Sequence, residues 1–398
     1  MATAAVLPAR LASLTGLRFL AAAAVFAFHA SFEGLFSDAG VQSAVGQLFS
    51  KAGWAGVSFF FVLSGFVLAW SARPGERPAR FLVRRLARIY PSHLVTALAA
   101  LALIIVTGGA LTAGEVVPNL LLLHSWFPRL EIFISGNPVS WSLSCELLFY
   151  LAFPLLWRGL SRIRPRRLWW WAGGVTAAVA LMPLVAQLLP AGPPLTMPDG
   201  STGLWQYWFV YVLPPVRALE FVLGVLLARL VREGLWKGPG LAPSAALTAA
   251  GYLLATQVPY LYGLVAATLV PLALLIAAAA TADVTGRGGP LAGRTMVWLG
   301  ETSFAFYLVH RLVLVHGHQA LGGRGWSTPV AALVLLAALA GCLSAARLLH
   351  LAVERPLARL GNPPRRRAVP GAVGGPGAGR AAGPLPTHHL ATGDSRCP

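Results

Sequence analysis

One fixed charge and one titratable ring frame an apolar run near the start of the chain, RFLAAAAVFAFH from Arg18 to His29. The two residues are eleven positions apart, which at about 100° per residue puts both on one face of a helix. At about 1.5 Å per residue they lie roughly 16 Å apart along its axis. Ionisable groups deep in an apolar helix are costly and usually functional. The spacing predicts a polar path along this helix; the structural alternative is a helix-end arginine and a histidine satisfied by a neighbouring helix.

Only 13 acidic residues occur in the chain, so those inside apolar runs stand out. Glu146 lies in SWSLSCELLFY, and Glu301 opens LGETSFAFYLVH, which ends at His310. Counted from the ends of the predicted helices, His29, Glu146 and His310 lie at one level, roughly 10–12 Å from those ends. A carboxylate beside a histidine fixes its tautomer and stabilises its charged form. We therefore predict His29 as a catalytic base with Glu146 as its partner; structural pairing between helices is the alternative.

Two other polar features are interpreted as structural. Arg217 and Glu220 are three residues apart on a predicted helix and are expected to neutralise each other. The stretch GVSFFFVLSGF contains serines but lacks the GxSxG elbow of a nucleophilic serine. Its glycines Gly56 and Gly65 instead predict close helix packing.

The segment RPGERPARFLVRRLARIYP at 73–91 carries six arginines. Arg85 and Arg88 are three residues apart and face the same way if the segment is helical. Arginine forms forked hydrogen bonds that suit phosphate oxygens. The segment therefore predicts either a phosphate-binding mouth or a charge cluster that only sets topology.

Familiar phosphate, dinucleotide and metal motifs do not occur in this sequence. There is no P-loop, no Rossmann fingerprint and no HExxH pattern. The three cysteines are scattered without metal-ligand or disulfide-framework spacing. We therefore predict no metal site.

Composition sets the class of protein. Of 398 residues, 57% are hydrophobic and 11% are charged, and continuous apolar stretches recur near the roughly 20-residue length that crosses a bilayer. The alternating pattern of a β-barrel is absent. We predict an all-α, polytopic integral membrane protein with about ten transmembrane helices. The predicted spans are 17–36, 53–72, 91–109, 138–158, 168–189, 207–230, 241–258, 261–281, 296–316 and 328–350.

The net charge of +18 is distributed unevenly between the predicted loops. Of 31 lysines and arginines, 26 lie at the N-terminus, in loops 73–90, 158–167, 229–237 and 282–295, or from Arg347 onward. This asymmetry follows the positive-inside rule and predicts a cell-membrane protein with both termini in the cytoplasm. Since the charge follows the loops, nucleic acid is not an expected partner.

Three stretches fall outside the regular spans. Segment 110–137 contains VVPNLLLLHSW, which is too short to span and is expected to be re-entrant or interfacial. Residues 188–206 form a loop rich in proline and glycine. The Gly, Pro and Arg composition of 361–398 predicts a disordered cytoplasmic tail after a transmembrane domain at 1–360.

Seven motifs follow one another along the chain: Arg18-x10-His29, FFFVLSGF at 59–66, RRLARIYP at 84–91, SWSLSCELLFY at 140–150, RALEFVLG at 217–224, LGETSFAFYLVH at 299–310 and ERP at 354–356. Together and in this order they resemble the membrane acyltransferase-3 family, which O-acylates O-antigens, exopolysaccharides and macrolides. The resemblance covers about residues 12–360 and implies ten or so helices and transfer of an acyl group from cytoplasmic acyl-CoA to a hydroxyl.

The resemblance also implies residue roles. Arg18 and His29 match the family's paired Arg and His, Arg85 and Arg88 match its RxxR, and Glu146 matches the acid of its SWSxxxE pattern. Arg18, Arg85 and Arg88 are then expected to bind coenzyme A, with acyl-CoA, in the form of acetyl-CoA, as a co-substrate rather than a permanently bound cofactor. Residues expected to support the site are Tyr90, Ser140, Trp141, Arg217, Glu220 and His310.

The predicted function is an integral membrane O-acyltransferase. Its expected acceptor is a hydroxyl of a glycan, a glycolipid or a glycosylated natural product; a macrolide-type small-molecule 3-O-acyltransferase is the alternative within this class. A proton-coupled transporter that uses the buried histidine and glutamate is the alternative of another class. Transporters often contain inverted repeats with broken helices, and no matching halves occur here.

Overall fold

The structure, a computed structural model, describes residues 7–8, 10–73, 75–197 and 199–360. Helices dominate this part of the chain, and its only sheet is a two-stranded hairpin. The predicted all-α class is therefore confirmed. The tail predicted at 361–398 lies outside the described residues.

Each of the ten predicted spans coincides with a helix in the structure. In chain order the helices are α1 Ala12–Ala30, α2 Ala39–Phe49, α3 Ala52–Trp70, α4 Pro78–Val106, α5 Ala113–Leu120, α6 Leu130–Phe133, α7 Trp141–Leu160, α8 Leu168–Gln187, α9 Leu204–Tyr207, α10 Pro214–Arg232, α11 Leu241–Ala255, α12 Tyr260–Leu264, α13 Ala266–Val284, α14 Arg294–Ala320, α15 Thr328–Leu349 and α16 Arg355–Leu360. Strands β1 Pro194–Met197 and β2 Gly200–Gly203 pair antiparallel inside the predicted loop 188–206, with Leu195 opposite Thr202.

Eight helical segments of the described chain are long and apolar enough to cross a membrane. Eight of the ten predicted spans coincide with these segments. The other two coincide with α11, an apolar helix of 15 residues, and with α14, whose 27 residues include three histidines as well as Glu301 and Arg311. The protein is therefore a multi-pass membrane protein.

Helix α1 ends earlier than the sequence predicts, at Ala30 instead of residue 36. The chain turns there because the following segment pairs with the loop before α15: the Ser37 N–H donates to the Trp326 oxygen at 2.8 Å. Asp38 then caps α2 by accepting the Val41 N–H at 2.9 Å. His29 is thus one residue from the end of its helix, and its predicted depth of roughly 10–12 Å from that end is wrong.

The arginine-rich segment is helical, which corrects the loop predicted at 73–90. Helix α4 begins at Pro78, and a proline in the first turn of a helix needs no N–H partner. Arginine is a good helix former, so the helix continues through Arg85 and Arg88. It also continues through Pro91, since interior proline is tolerated in membrane helices.

Close helix packing at the predicted glycines is confirmed. A Cβ atom at Gly65 of α3 would lie 1.9 Å from a backbone oxygen of α10, and one at Gly224 of α10 would lie 1.9 Å from a backbone oxygen of α3. At Gly56 a Cβ atom would lie 2.8 Å from a backbone oxygen of α1. Glycine therefore lets α3 pack directly on both α1 and α10.

Segment 110–137 contains only the short helices α5 and α6 and a 3-10 turn at His124–Trp126. Its polar side chains bond into the bundle: Asn137 Nδ2 donates to the Leu308 oxygen of α14 at 2.8 Å, and Ser125 Oγ donates to the Trp141 oxygen at 2.7 Å. The prediction that this segment is too short to span is confirmed. Because it packs on α7 and α14, it decides where α7 begins.

Candidate active site

All three arginines predicted to bind phosphate line one cavity of about 160 Å³, here called the arginine pocket. Arg18 projects from α1, and Arg85 and Arg88 project from one face of α4 because that segment is helical. Glu146 of α7 lines the same pocket. The three arginines thus converge as predicted, whereas Glu146, which was predicted beside His29, lies among them.

Two of the three guanidinium groups are free for a ligand. Arg85 Nη2 donates to Ser71 Oγ at 3.1 Å. Within the described ranges, Arg18 and Arg88 have neither an ion pair nor a side-chain hydrogen bond. The adjacent Arg84 is different, because its Nη2 donates to Glu76 at 2.9 Å. Unpaired arginines in a cavity provide the donor geometry that phosphate oxygens require.

A larger cavity of about 690 Å³, here called the vestibule, adjoins the arginine pocket, and Arg18 and Arg88 line both. The vestibule is strongly basic. Its charged lining residues are Arg10, Arg18, Arg88, Arg347, Arg355, Glu301 and Glu354. Both carboxylates are already engaged, Glu301 with Arg10 and Glu354 with His350 Nδ1. The combined cavity therefore favours a polyanionic ligand.

Glu146 does not contact His29, and the predicted pairing of these two residues is wrong. Ser64 Oγ donates to Glu146 Oε2 at 3.0 Å, and this contact lies in the arginine pocket, which His29 does not line. The prediction counted His29 from a helix end at residue 36, but α1 ends at Ala30. His29 is therefore one residue from the end of α1, whereas Glu146 lies five residues inside α7.

The partner of His29 is His310 of α14, which the sequence analysis named as a supporting residue at the same level. His310 Nε2 lies 3.1 Å from His29 Nδ1. The other nitrogen of His310, Nδ1, lies 2.7 Å from the Tyr307 oxygen, and His29 Nδ1 also lies 3.0 Å from the Val25 oxygen. The two imidazoles thus form a pair held by backbone oxygens of their own helices.

These contacts assign the hydrogens of the neutral pair. A carbonyl oxygen only accepts, so the Nδ1 of His310 carries a hydrogen and its Nε2 carries a lone pair. His29 Nδ1 faces two acceptors, the Val25 oxygen and His310 Nε2, and therefore also carries its hydrogen. The lone pair of His29 then lies on Nε2. His310 orients the His29 ring as a base, the role that the sequence analysis gave to Glu146.

Tyr307 connects the histidine pair to the arginine pocket. It lines the pocket, and its ring centroid lies 5.8 Å from that of His310 and 5.9 Å from that of Phe60. Its hydroxyl donates to the Val139 oxygen at 3.0 Å and lies 2.9 Å from Ser142 Oγ. The pocket and the histidine pair therefore adjoin across this one tyrosine.

Sequence reasoning missed several pocket residues, although a signal for some was present. Ser142, Glu146 and Tyr150 are spaced by four residues and so share one face of α7, and all three line the pocket. Tyr307 precedes His310 by three residues, which places both on one face of α14. The motif positions around Glu146 and His310 could thus have suggested these neighbours.

Three of the predicted supporting residues hold the fold instead of lining the pocket. Tyr90 donates its hydroxyl to the Leu120 oxygen at 3.1 Å and so ties α4 to α5. Ser140 Oγ donates to the Asn137 oxygen at 2.7 Å. Trp141 packs on Tyr211 with ring centroids 4.9 Å apart. Each of these contacts fixes the start of α7 or the segment before it.

Arg217 and Glu220 form a buried ion pair, as their three-residue spacing predicts. Arg217 Nη2 lies 2.9 Å from Glu220 Oε2, and both side chains are 1% exposed. The Arg217 guanidinium also lies over the rings of Phe61 and Tyr211, at 4.9 and 4.7 Å from their centroids. The pair joins α10 to α3 and lies outside the arginine pocket.

A polar groove of about 1130 Å³ begins at Ser31 and Phe32, directly after α1 and His29. The Lys51–Asp199 ion pair at 2.8 Å lines this groove, and Asp199 also accepts a hydrogen bond from Trp54 Nε1 at 2.9 Å. The remaining lining is mostly uncharged amide, hydroxyl and aromatic groups. In the part of the chain that the structure describes, no group of three or more His, Cys, Asp or Glu could hold a metal ion.

Comparison with known proteins gives consistent matches over most of the chain. Residues 11–347 match the family model described as "Acyltransferase domain". Acyltransferase MdmB of Streptomyces mycarofaciens is 47% identical over 371 residues, which cover 90% of this chain and 94% of that protein. Exopolysaccharide production protein ExoZ of Rhizobium meliloti is 29% identical, with 81% and 94% covered.

A further relative is longer than this chain. The putative peptidoglycan O-acetyltransferase YrhL of Bacillus subtilis is 25% identical over 86% of this chain, but only 54% of YrhL is covered. No solved structure matches the chain. The family model covers well over half of the residues, and we conclude that this membrane protein belongs to the acyltransferase-3 family and is an acyltransferase.

Proposed function

We propose that the protein transfers an acyl group from acyl-CoA to a hydroxyl of a glycan, a glycolipid or a glycosylated natural product. One observation carries this proposal: Arg18 and Arg88, which have no ion pair or side-chain hydrogen bond in the described part of the chain, line a basic cavity, and Tyr307 of the arginine pocket lies beside the His29–His310 pair. A phosphate-binding region and an oriented base are the two parts that such a transfer requires. Acetyl is the favoured acyl group.

Coenzyme A would enter through the vestibule. Its phosphates would bind Arg18, Arg85 and Arg88, while the neutral pantetheine arm would follow α3 along the arginine pocket. The α3 residues that line this pocket run from Leu68 to Val57, a rise of roughly 16 Å. The thioester would then lie near Tyr307, beside the histidine pair.

The chemistry follows from the unprotonated Nε2 of His29. This nitrogen takes the proton of the acceptor hydroxyl while the acceptor oxygen attacks the thioester carbonyl. The carbon–sulfur bond breaks, and the coenzyme A thiolate leaves and recovers the proton from His29. General base catalysis of this kind contributes about 10²–10⁴-fold to the rate.

The polar groove is the favoured route for the acceptor, since it begins two residues after His29. Its uncharged amides, hydroxyls and aromatic rings suit the hydroxyl groups of a sugar. The names of two relatives, ExoZ and YrhL, refer to an exopolysaccharide and to peptidoglycan. These names favour a glycan acceptor, and a macrolide-type acceptor is the second candidate of the same class.

Transfer is tested by release of free coenzyme A. Membranes that contain the protein, supplied with labelled acetyl-CoA and with glycan or glycosylated macrolide fractions as acceptors, are expected to release coenzyme A and to label the acceptor. Membranes with the His29→Ala variant are the control. Acetyl-CoA that stays intact with every acceptor fraction, while surface-glycan mass spectra are the same with and without the protein, would contradict the proposal.

We also propose that the arginine-rich end of the bundle faces the cytoplasm, in the cell membrane, with both termini on that side. The uneven distribution of lysine and arginine supports this orientation. A reporter fused after residue 360 is expected to be active only if it is one that works in the cytoplasm. If a reporter that works only outside the cytoplasm is active at this position, the proposed orientation is wrong.

A further inference from the structure

Two neighbouring side chains of the vestibule have no role in the proposed transfer. Trp298 of α14 and Arg347 of α15 both line this cavity, and neither lines the arginine pocket. The Arg347 guanidinium lies over the Trp298 ring, 5.7 Å from its centroid. The two residues therefore place an aromatic face and a positive charge side by side on the wall of the vestibule.

The Trp298 indole is available to a ligand. It is 41% exposed, and in the described part of the chain its only ring contact of this kind is the Arg347 guanidinium. Trp70, the other tryptophan of the vestibule, is engaged instead: it stacks on Phe66, and its Nε1 donates to the Pro8 oxygen at 3.1 Å. An exposed aromatic face beside a cavity provides a stacking surface for a nucleobase.

The Arg347 guanidinium is available as well. It is half-buried, and within the described ranges it has neither an ion pair nor a side-chain hydrogen bond. The two carboxylates of the vestibule do not neutralise it, because Arg10 and His350 already engage them. An unpaired arginine in a basic cavity favours a phosphate group.

We propose that Trp298 and Arg347 bind the adenosine 3′-phosphate end of coenzyme A, a proposal that rests on the proposed use of acyl-CoA. In this part of coenzyme A one ribose carries both the adenine base and a phosphate monoester, so a single sugar separates the two. Trp298 stacks on the adenine. Arg347, whose guanidinium lies 5.7 Å from the Trp298 ring, donates to the 3′-phosphate. A phosphate monoester carries about −1.5 to −2 charges at pH 7.

The surroundings of these two residues suit the rest of the ligand. The vestibule measures about 690 Å³, within the range of roughly 300–1,000 Å³ that is typical of small-molecule pockets. Arg18 and Arg88 line the same cavity and remain for the diphosphate of coenzyme A. The structural alternative is a tryptophan and an arginine that only anchor their helices at the membrane surface. An anchor of that kind does not distinguish between ligands with and without the 3′-phosphate.

The test compares coenzyme A with dephospho-CoA, which lacks only the 3′-phosphate. Dissociation constants are measured by calorimetric titration of the purified full-length protein in detergent. The unmodified protein is expected to bind coenzyme A roughly ten- to a hundredfold more tightly than dephospho-CoA, because one charge-assisted contact is lost. In Arg347→Ala the affinity for coenzyme A is expected to fall by this factor, while the affinity for dephospho-CoA stays unchanged.

Trp298→Ala tests the stacking surface. Loss of one base–aromatic stack is expected to weaken the binding of coenzyme A and of dephospho-CoA alike, by about five- to a hundredfold. Binding of 4′-phosphopantetheine, which lacks the nucleoside, is expected to be the same in this variant and in the unmodified protein. Trp298→Phe keeps an aromatic face and is expected to restore most of the lost affinity.

Arg80→Ala serves as the control for the loss of one positive charge. Arg80 is exposed on α4, in the arginine-rich segment, and it lines neither the arginine pocket nor the vestibule. In this variant the ratio of the two affinities is expected to stay unchanged. If Arg347→Ala does not reach the membrane, Arg347→Lys, which keeps the charge but not the forked geometry, is expected to lower the ratio by a smaller factor.

The outcomes separate this proposal from the proposed function. Equal affinity of the unmodified protein for coenzyme A and dephospho-CoA would overturn the 3′-phosphate contact, as would equal effects of Arg347→Ala and Arg80→Ala. Phosphatidylglycerol is titrated in parallel, because its phosphate has similar chemistry. If Arg347→Ala weakens the binding of this lipid alone, the site holds a lipid headgroup and the proposal is wrong. If the unmodified protein binds none of the coenzyme A compounds, the proposed donor itself is wrong.

Discussion

Replacing His29 with alanine is expected to lower the rate of acyl transfer by about 10²–10⁴-fold, the usual contribution of a general base. The assigned hydrogens leave a lone pair on His29 Nε2 and give His310 the role of holding the ring. Alanine is a better helix former than histidine and is apolar, so insertion should be preserved. Transfer rate and membrane abundance are measured together.

Two companion variants distinguish the base from its neighbours. His310→Ala is expected to lower the maximal rate less than His29→Ala, because the base remains but its ring loses its orienting contact. Glu146→Gln is expected to change the KM for acyl-CoA more than the maximal rate, because Glu146 lies among the arginines. A larger loss of maximal rate in Glu146→Gln than in His29→Ala would make Glu146 the base.

The pH dependence of the rate follows from the same assignment. Only neutral His29 accepts a proton, so the rate is expected to fall as pH drops through the pKa of the pair. The charged neighbours on this side are Arg311 and Glu33, which form an ion pair with each other. If the rate rises on acidification, or if His29→Ala is fully active at normal membrane abundance, His29 is not the general base.

Replacing Arg88 with alanine is expected to raise the KM for acyl-CoA roughly ten- to a hundredfold, because one charge-assisted hydrogen bond contributes about 1.5–3 kcal/mol. Arg88 is unpaired in the described part of the protein and lines both the arginine pocket and the vestibule. The substitution removes one hydrogen bond to acyl-CoA and leaves the His29–His310 pair unchanged. The maximal rate is therefore expected to change much less than KM, as measured by initial rates over a range of acyl-CoA concentrations.

Arg84→Ala is the matched control for this experiment. Arg84 lies on the same helix, but it does not line the arginine pocket, and its guanidinium is held by Glu76. The two variants remove the same charge from the same segment, so a topological role predicts equal effects. If the KM for acyl-CoA is unchanged in Arg88→Ala, or rises equally in both variants, the arginine segment only sets the membrane topology.

The sequence by itself determined the class, most helices and the arginines of the arginine pocket. These features depend on local patterns: apolar stretch length identifies membrane helices, and a three-residue spacing puts Arg85 and Arg88 on one face of a helix. Glycine positions such as Gly65 likewise predict close packing without knowledge of the partner helix. Local patterns therefore sufficed for the pocket arginines.

Only the tertiary structure decided which groups meet. The partner of His29 depends on where α1 ends and how α1 packs on α14, and the surroundings of Glu146 depend on how α7 packs on α3. Neither contact can be predicted by counting residues from a helix end. If the end is misplaced by five or six residues, the predicted depth of a side chain changes by roughly 8 Å. The position of Tyr307 between pocket and base likewise depends on packing of α14 against α3 and α7, contacts between residues far apart in the chain.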